Sequence, residues 1–549
     1  MPDPGTPATR PYRDPRSVAG KDLHVEERAQ ILVIGAGPAG LAAAIEAAGR
    51  GASVVLLDEN PVPVETMGED VPLHFGGAMS GAARNRNAVL DAYVASEPGL
   101  EAAFEAGIDV RLGHAAYGLW GNGESVGWLP GLVAGVSDGE RSWMIGCDRA
   151  VVAAGRRDMG LAFPGWTLPG VAGVTAALRL SERYGALAAE RAVVLGTGAE
   201  TLLAVRQLAE AGVEIAAIIE QAAEPVGPAD LVADIRERGI PILTGRVVRA
   251  AEGRDAVAAV RVAALGTDGL VPANAPEDRI DCDAVLLGVG TVPVVELLDA
   301  LGAKLAFRPE RGGYAPVLGD GQAASVPGVY VAGDCAGMWP AKSRDRALAE
   351  HEGRVAAAAA CASLGFGETV PATVAVPSPE FDLSAYRLAW VKASVVGAAE
   401  EMHVCQCEEV TAREILEVRP PRYLNAASDR RNDRSLRSLL GEGPPNPDQV
   451  KRLTRAGMGP CQGRRCREQV AALLALGAGT GLAAVPLAGY RAPVRPLPLA
   501  IAGDPHEPAA MAAEWDTWFG IPAQYRLAAE LPPLYTVAAG SPAGPVASE

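Results

Sequence analysis

Ile31-Leu-Val-Ile34-Gly35-Ala-Gly37-Pro38-Ala39-Gly40-Leu41 is an apolar run, a glycine turn and the start of a small-residue helix, and its reading decides the fold. The apolar run fits a strand buried on both faces of a parallel sheet. Gly35 permits the tight turn, Gly37 lets the backbone approach a pyrophosphate, and Gly40 lets helix and strand close on each other. The helical run Leu41 to Arg50 follows, and its N-terminus offers unpaired N–H groups to an anion. The next strand, Ser53 to Leu57, runs into Asp58-Glu59, where a carboxylate can accept from ribose hydroxyls. These residues predict a dinucleotide-binding Rossmann unit.

Three distant segments narrow the nucleotide. Val326-Pro-Gly-Val-Tyr-Val-Ala-Gly333-Asp334 reads as a buried strand ending in Gly-Asp, and Val151-Val-Ala-Ala154-Gly155 as a strand ending in a small-residue turn. Gly288-Val-Gly290-Thr-Val-Pro293 is a third strand and turn. In this order they resemble the two-dinucleotide-binding-domain flavoproteins. That resemblance implies FAD, with Gly35, Gly37, Pro38, Ala39, Gly40, Asp58, Glu59, Ala154, Gly155 and Gly333 around it and Asp334 on its ribityl chain. The expected fold class is α/β, with two Rossmann-like domains of glutathione-reductase type and a small helical domain for a [2Fe-2S] cluster. The expected FAD domain is discontinuous, 28–165 and 281–365.

A second strand, turn and helix lies between those halves, at Arg191-Ala-Val-Val-Leu-Gly196-Thr-Gly198-Ala-Glu200-Thr201, followed by a strand ending at Glu220. It marks a second Rossmann domain at 166–280. Gly196, Gly198 and Glu220 are its candidate contacts to NAD(H) or another adenine nucleotide. Thr201 stands where a third glycine would, so helix and strand are expected to pack farther apart, and Glu200 adds negative charge near a pyrophosphate. A structural remnant is the competing reading. No closely spaced cysteine pair lies beside either turn, so a redox disulfide next to a flavin is not expected.

Four cysteines cluster late in the chain, as His403-Val-Cys405-Gln-Cys407 and Gly457-Met-Gly-Pro-Cys461-Gln-Gly-Arg-Arg-Cys466. Four soft thiolates from two tight turns suit an iron–sulfur cluster or a structural zinc. Thr411 and Glu414 form a capping box after the first pair, and a helix starts near Arg467 after the second. These residues resemble the bacterioferritin-associated-ferredoxin-like [2Fe-2S] domain. The Cys461 to Cys466 turn and Phe163-Pro-Gly-Trp166-Thr-Leu-Pro-Gly170 resemble the large subunits of opine oxidases, hydroxyproline dehydrogenases and hydrogen cyanide synthases.

The family resemblance implies that Cys405, Cys407, Cys461 and Cys466 ligate the cluster. It also implies a smaller flavin-bearing partner, similar to D-amino-acid oxidases, with room for a further small subunit and an external electron acceptor. This chain would relay electrons, with no catalytic acid or base of its own. A self-contained NAD(P)H-dependent reductase and a zinc-stabilised scaffold are the rival readings. The basic, polar run 422–447 reads as an insertion in the cluster domain, 400–478.

Composition bounds the rest. The 549 residues exceed one core, and a net charge of −17 from 49 basic and 66 acidic residues disfavours nucleic acid as a partner. No uninterrupted apolar stretch reads as a membrane span, and Cys147, Cys282, Cys335 and Cys361 read as reduced core thiols, so a cytoplasmic location is expected. Residues 1–27 form an N-terminal extension, 366–399 a linker, and 479–549 a proline-rich tail expected to wrap its own chain or a partner. Arg156-Arg157-Asp158 reads as a charged run pairing within itself. His74, Arg84 and Arg86 read as a solvated loop, and His114, His351 and His403 as structural.

Overall fold

The computed structural model describes residues 23–63, 79–123, 129–379, 381–396, 398, 401–420 and 434–502. Residues 1–22, His74, 421–433, which hold the first part of the expected insertion 422–447, and the tail beyond 502 lie outside the described residues.

The chain opens with β1 (Glu27–Ile34), α1 (Pro38–Gly49) and β2 (Val54–Asp58), followed by β3 (Asp109–Leu112), β4 (Ala115–Trp120), β5 (Leu132–Ser137) and β6 (Ser142–Val152). They form a sheet in the order β3-β2-β1-β6-β5-β4. Ile31, Leu32 and Val33 are fully buried, as a strand sandwiched between helical layers requires. β6 pairs with β1 along one edge and divides the other, giving residues 142–147 to β5 and leaving 150–152 for a strand that arrives much later.

The chain then builds a second sheet from β7 (Val171–Gly173), α2 (Val174–Glu182), β8 (Arg191–Leu195), α3 (Ala199–Glu210), β9 (Glu214–Glu220), β10 (Ile242–Thr244) and β11 (Ala284–Leu287). Its order is β10-β9-β8-β11-β7, all parallel. After α4 (Glu296–Ala300) it returns as β12 (Val329–Val331), filling the vacant edge of β6, and α5 (Arg346–Ala362) packs on α1. The return explains why the flavin-type motifs are separated in sequence. Of the expected second FAD segment, 281–365, β12 joins the first sheet, whereas β11 belongs to the second.

α6 (Leu383–Val391), α7 (Ala412–Leu416) and α8 (Arg467–Ala478) complete the architecture. The predicted capping box forms: Thr411 Oγ1 accepts from the Glu414 N–H, and Glu414 Oε2 accepts from the Thr411 N–H at 2.8 Å. One apolar core runs from Val193 and Leu195 of the second sheet through Trp390 of α6 to Leu473 and Leu474 of α8. Trp166 closes the seam, donating from Nε1 to the carbonyl of His403 at 2.6 Å. The described part of the tail wraps this chain, with the Tyr314 hydroxyl donating to the Val485 carbonyl at 2.7 Å and Val494 buried under the first sheet. Among the described residues no helix is long and apolar enough to cross a membrane.

The α1–α5 contact depends on a missing side chain. A Cβ at Gly353 would lie 2.0 Å from the Ala39 carbonyl oxygen. Gly353→Ala should therefore destabilise the fold by ~1–3 kcal/mol, read as a lower thermal midpoint. Gly49→Ala, where an added Cβ meets nothing within 4 Å, should hold or raise that midpoint.

Candidate functional site

The first glycine turn opens onto a cavity of about 390 Å³. Gly35 has φ +108°, and a Cβ there would fall 2.2 Å from the Ala153 carbonyl oxygen; one at Gly40 would fall 1.7 Å from that of Gly35. The turn is thus compressed against β6. Gly37 caps α1 without a side-chain bond, so the first-turn N–H groups face the cavity that Gly37, Pro38 and Ala39 line. Asp58 Oδ2 accepts from the Ala36 N–H at 2.6 Å, fixing the turn, while its Oδ1 accepts from the Asn60 N–H at 2.7 Å. Glu59 lines the cavity and pairs with Arg495 of the tail at 2.5 Å.

Ala154, Gly155, Gly333 and Asp334 complete the wall, so every residue proposed for the first nucleotide is assembled around one space except Gly40, which stands behind it. Asp334 lies 3.6 Å from Arg156. Beneath the Gly333 turn, Lys342 Nζ donates to the carbonyls of Gly333 and Gly337, each at 2.7 Å, and pairs with Glu352 at 2.5 Å. Glu352 also accepts from the Gly333 N–H at 2.9 Å. Arg179 and Arg183 add positive charge to the wall. Burial, then Arg183 and Arg156 beside it, pull the Arg179 guanidinium below its ordinary value, a crowding that a pyrophosphate would relieve. His114, read as structural, lies in this wall as well as edge-on to Trp143.

The second glycine turn has a different fate. Thr201 packs on Gly288 at β11's exit: its hydroxyl donates to the Gly288 carbonyl at 2.7 Å, and a Cβ at Gly288 would lie 2.4 Å from Thr201 Cγ2. The missing glycine has moved to the opposite segment. Glu220 is fully buried; its Oε2 accepts from the hydroxyls of Thr197 at 2.6 Å and Tyr386 at 3.0 Å, and its Oε1 accepts from the Ala222 N–H at 2.9 Å. The Tyr386 hydroxyl stands where a ribose hydroxyl would donate. Gly198 lines a remaining cavity of about 100 Å³, roofed by Pro377, Phe381, Tyr386 and Arg387, whereas Gly196, at φ +95°, is pressed against Gly288.

The four clustered cysteines converge. Cys407 Sγ and Cys461 Sγ are 3.4 Å apart, Cys405 adjoins both Cys407 and Cys466, and the Gly457 N–H points at Cys405 Sγ from 3.4 Å. An added Cβ at Gly459 would lie 2.5 Å from Cys407 Sγ, so the backbone lies directly against the sulfurs. Contact with Cys405 pushes the Cys407 thiol up to about 12, and contact with Cys407 raises Cys461. Such crowding favours the protonated forms until a cation reverses it. Among the described residues no three His, Cys, Asp or Glu side chains are grouped to hold a single metal ion. The four sulfurs adjoin in a row, Cys466, Cys405, Cys407 and Cys461.

Arg156, Arg157 and Asp158 do not pair with one another. Asp158 accepts from the Thr175 hydroxyl at 2.7 Å, while Arg157 joins Glu296 at 3.1 Å to Glu468 at 2.6 Å and donates to the Arg464 carbonyl at 2.7 Å. Burial opposes the charge of Glu296, yet Arg157, then Arg495 and Arg464, hold its carboxyl below the ordinary glutamate value. Sequence reading gave no site role to Lys342, Glu352, Glu296 or Glu468, and placed Tyr386 only in the linker 366–399. Glu352-Gly353 inside an alanine-rich helix was the available signal, since a charge beside a helical glycine marks a face pressed on something.

Residues 29–362 match the family described as Pyridine nucleotide-disulphide oxidoreductase, and residues 433–504 match the Sarcosine oxidase A3 domain. The chain belongs to the pyridine nucleotide-disulphide oxidoreductase family and is a mixed α/β, FAD-dependent oxidoreductase of that fold. Within it, the chain is 30% identical to an opine oxidase subunit from Agrobacterium tumefaciens, across 88% of this chain and 93% of that one. The HcnB subunit of hydrogen cyanide synthase from Pseudomonas protegens is 28% identical, with 79% and 89% covered. The alpha subunit of sarcosine oxidase from a Corynebacterium is 27% identical across 87% of this chain and 45% of that longer one. Among solved structures, an L-proline dehydrogenase from P. horikoshii superposes with a TM-score of 0.54 at 20% identity, covering 88% of this chain and 81% of that one.

The filled second crevice makes a prediction. Saturating NAD+ should leave the thermal midpoint of the protein where it is, because no room remains beside Glu220; an upward shift that grows with NAD+ concentration would contradict it. Tyr386→Phe, which strips a donor from a buried carboxylate, should cost ~1–3 kcal/mol in denaturant unfolding.

Proposed function

We propose that this chain is the electron-transferring subunit of a heteromeric, FAD-dependent dehydrogenase acting on an amino acid or secondary amine. FAD belongs in the first cavity and a [2Fe-2S] cluster on Cys405, Cys407, Cys461 and Cys466. Substrate oxidation falls to a smaller flavin subunit resembling D-amino-acid oxidases, with room for a further small subunit and an external acceptor. The observation that carries the reading is the union of a dinucleotide cavity and a four-sulfur site in one body, joined through Arg157.

The donor sets fit these groups. The N-terminus of α1 would receive the pyrophosphate, Glu59 the ribose, and Asp334 the ribityl hydroxyls, with Arg156, Arg179 and Arg183 balancing charge. Four thiolates in one row, Cys466, Cys405, Cys407 and Cys461, suit two irons taking two thiolates each. Cys466 caps α8, so the helix N-terminus favours a negatively charged cluster there. A flavin accepts electrons in pairs and an iron–sulfur cluster passes them singly. The protein's part is to hold both at fixed separation behind walls that exclude water.

The relatives are each named as a subunit, which supports a partner chain. Eight free thiols support a reducing, cytoplasmic setting. Tyr386 on Glu220 supports a structural second Rossmann domain rather than a nicotinamide entrance.

Co-expressed with its partner and titrated anaerobically with candidate amines, the complex should show flavin bleaching and the paramagnetic signal of a reduced cluster, whereas NADH should do neither. Cys461→Ser should abolish the cluster signal and spare flavin absorption. Robust amine turnover by the isolated chain, rapid bleaching by NADH, or stoichiometric zinc without a chromophore would each refute the proposal.

A further inference from the structure

Arg157 reaches toward both candidate centres. On one side it pairs with Glu296, which has no solvent exposure, forms part of the first cavity's wall and has a second oxygen, Oε2, buried without a hydrogen-bond partner. On the other side it pairs with Glu468, 5% exposed in the first turn of α8 just after Cys466. The same guanidinium donates to the carbonyl of Arg464, inside the turn from Cys461 to Cys466. One cation therefore neutralises a carboxylate at the flavin cavity and another at the cysteine site.

Glu296 and Glu468 are buried and the Arg157 side chain is 15% exposed, so these charges are screened less than a surface pair and their fields reach neighbouring groups without contact. A surface ion pair would be silent in this respect. Were the bridge only a fastener between domains, a single pair would suffice, and neither carboxylate would need to stand at a redox site. The arrangement instead places opposite charges in series between the two.

We propose that Glu296, Arg157 and Glu468 form a charge bridge that sets the reduction potentials of the two centres together, Glu296 acting on the flavin side and Glu468 on the cluster side. The inference rests on the FAD and cluster assignments above. The three are positioning residues, acting through their fields. Because they share one cation, charge gained at one centre alters the field at the other, and that linkage is reciprocal.

Spectroelectrochemistry of the co-expressed complex tests the bridge through signs. Glu296→Gln removes negative charge beside the cavity, so the flavin's reduction equilibrium should become about tenfold more favourable, roughly +30 mV for a two-electron couple. Glu468→Gln should raise the cluster's potential instead, a tenfold change being about 59 mV for one electron. Arg157→Met removes the shared positive charge and should lower both. If Arg157→Met does not fold, the two glutamine variants, which keep shape and hydrogen bonding, decide alone. Potentials unchanged in variants that retain both chromophores, or shifts of one sign throughout, would overturn the bridge. A wild-type complex lacking flavin or cluster would overturn the underlying assignment instead.

Discussion

Burying a guanidinium is costly unless carboxylates and carbonyls surround it, and this fold depends on meeting that condition at Arg157. Its partners come from separate parts of the chain: Glu296 from α4, Glu468 from α8 and the Arg464 carbonyl from the cysteine turn, with the Tyr490 hydroxyl at 3.3 Å. No two neighbouring elements could satisfy it alone. Losing Arg157 would leave two buried carboxylates without their shared cation, worth ~3–5 kcal/mol, so the ion network favours this docking of the cysteine-bearing segment on the flavin sheet. Apolar packing along α6 and α8 supplies affinity for that docking. The ion network supplies its register.

The two Rossmann units show how one supersecondary design can keep a crevice or fill it. Both have a compressed glycine, Gly35 and Gly196, with positive φ and a carbonyl beneath. In the first, the acidic residue after the second strand grips the turn through Ala36 and leaves the crevice open. In the second, Glu220 grips Thr197 at its turn and is itself covered by Tyr386, which reaches in from α6. A polar carboxylate at zero exposure has to be satisfied, and the chain supplies from within the hydroxyl a ligand would have brought. The filled crevice then becomes core, continuous with Trp390 and the cysteine domain.

How legible this was follows from the range of each interaction. Gly35 to Gly40, the capping box at Thr411 and Glu414, and the cysteine turns are local patterns, and sequence reading reached them because spacing alone sets their geometry. The seat of Thr201 escaped sequence reading because it lies at Gly288, across the sheet, where no local pattern reports it. Arg157 misled for the same reason: beside Asp158 it reads as half of a local pair, yet Asp158 is taken by Thr175 and α2's first turn. Lys342 and Glu352 lie ten residues apart on two successive helices, with no local pattern to join them, and become a clamp under Gly333 only when β12 joins β6.

The shared core bears on how electrons could be managed. Electron transfer falls steeply with separation, and a carrier domain on a free linker must dock and undock to control it. Here Trp166 is bonded to His403, Tyr314 to the tail at Val485, and Arg157 to both sides, so the cysteine site is held against the flavin sheet by hydrogen bonds from three separate elements. Reorientation would expose the apolar core of α6 and α8 and unpair buried charges together. If the chain relays electrons as proposed, this docking would preorganise the transfer in one geometry. Control would then fall to the potentials, set by the charges nearest each centre, or to a partner subunit.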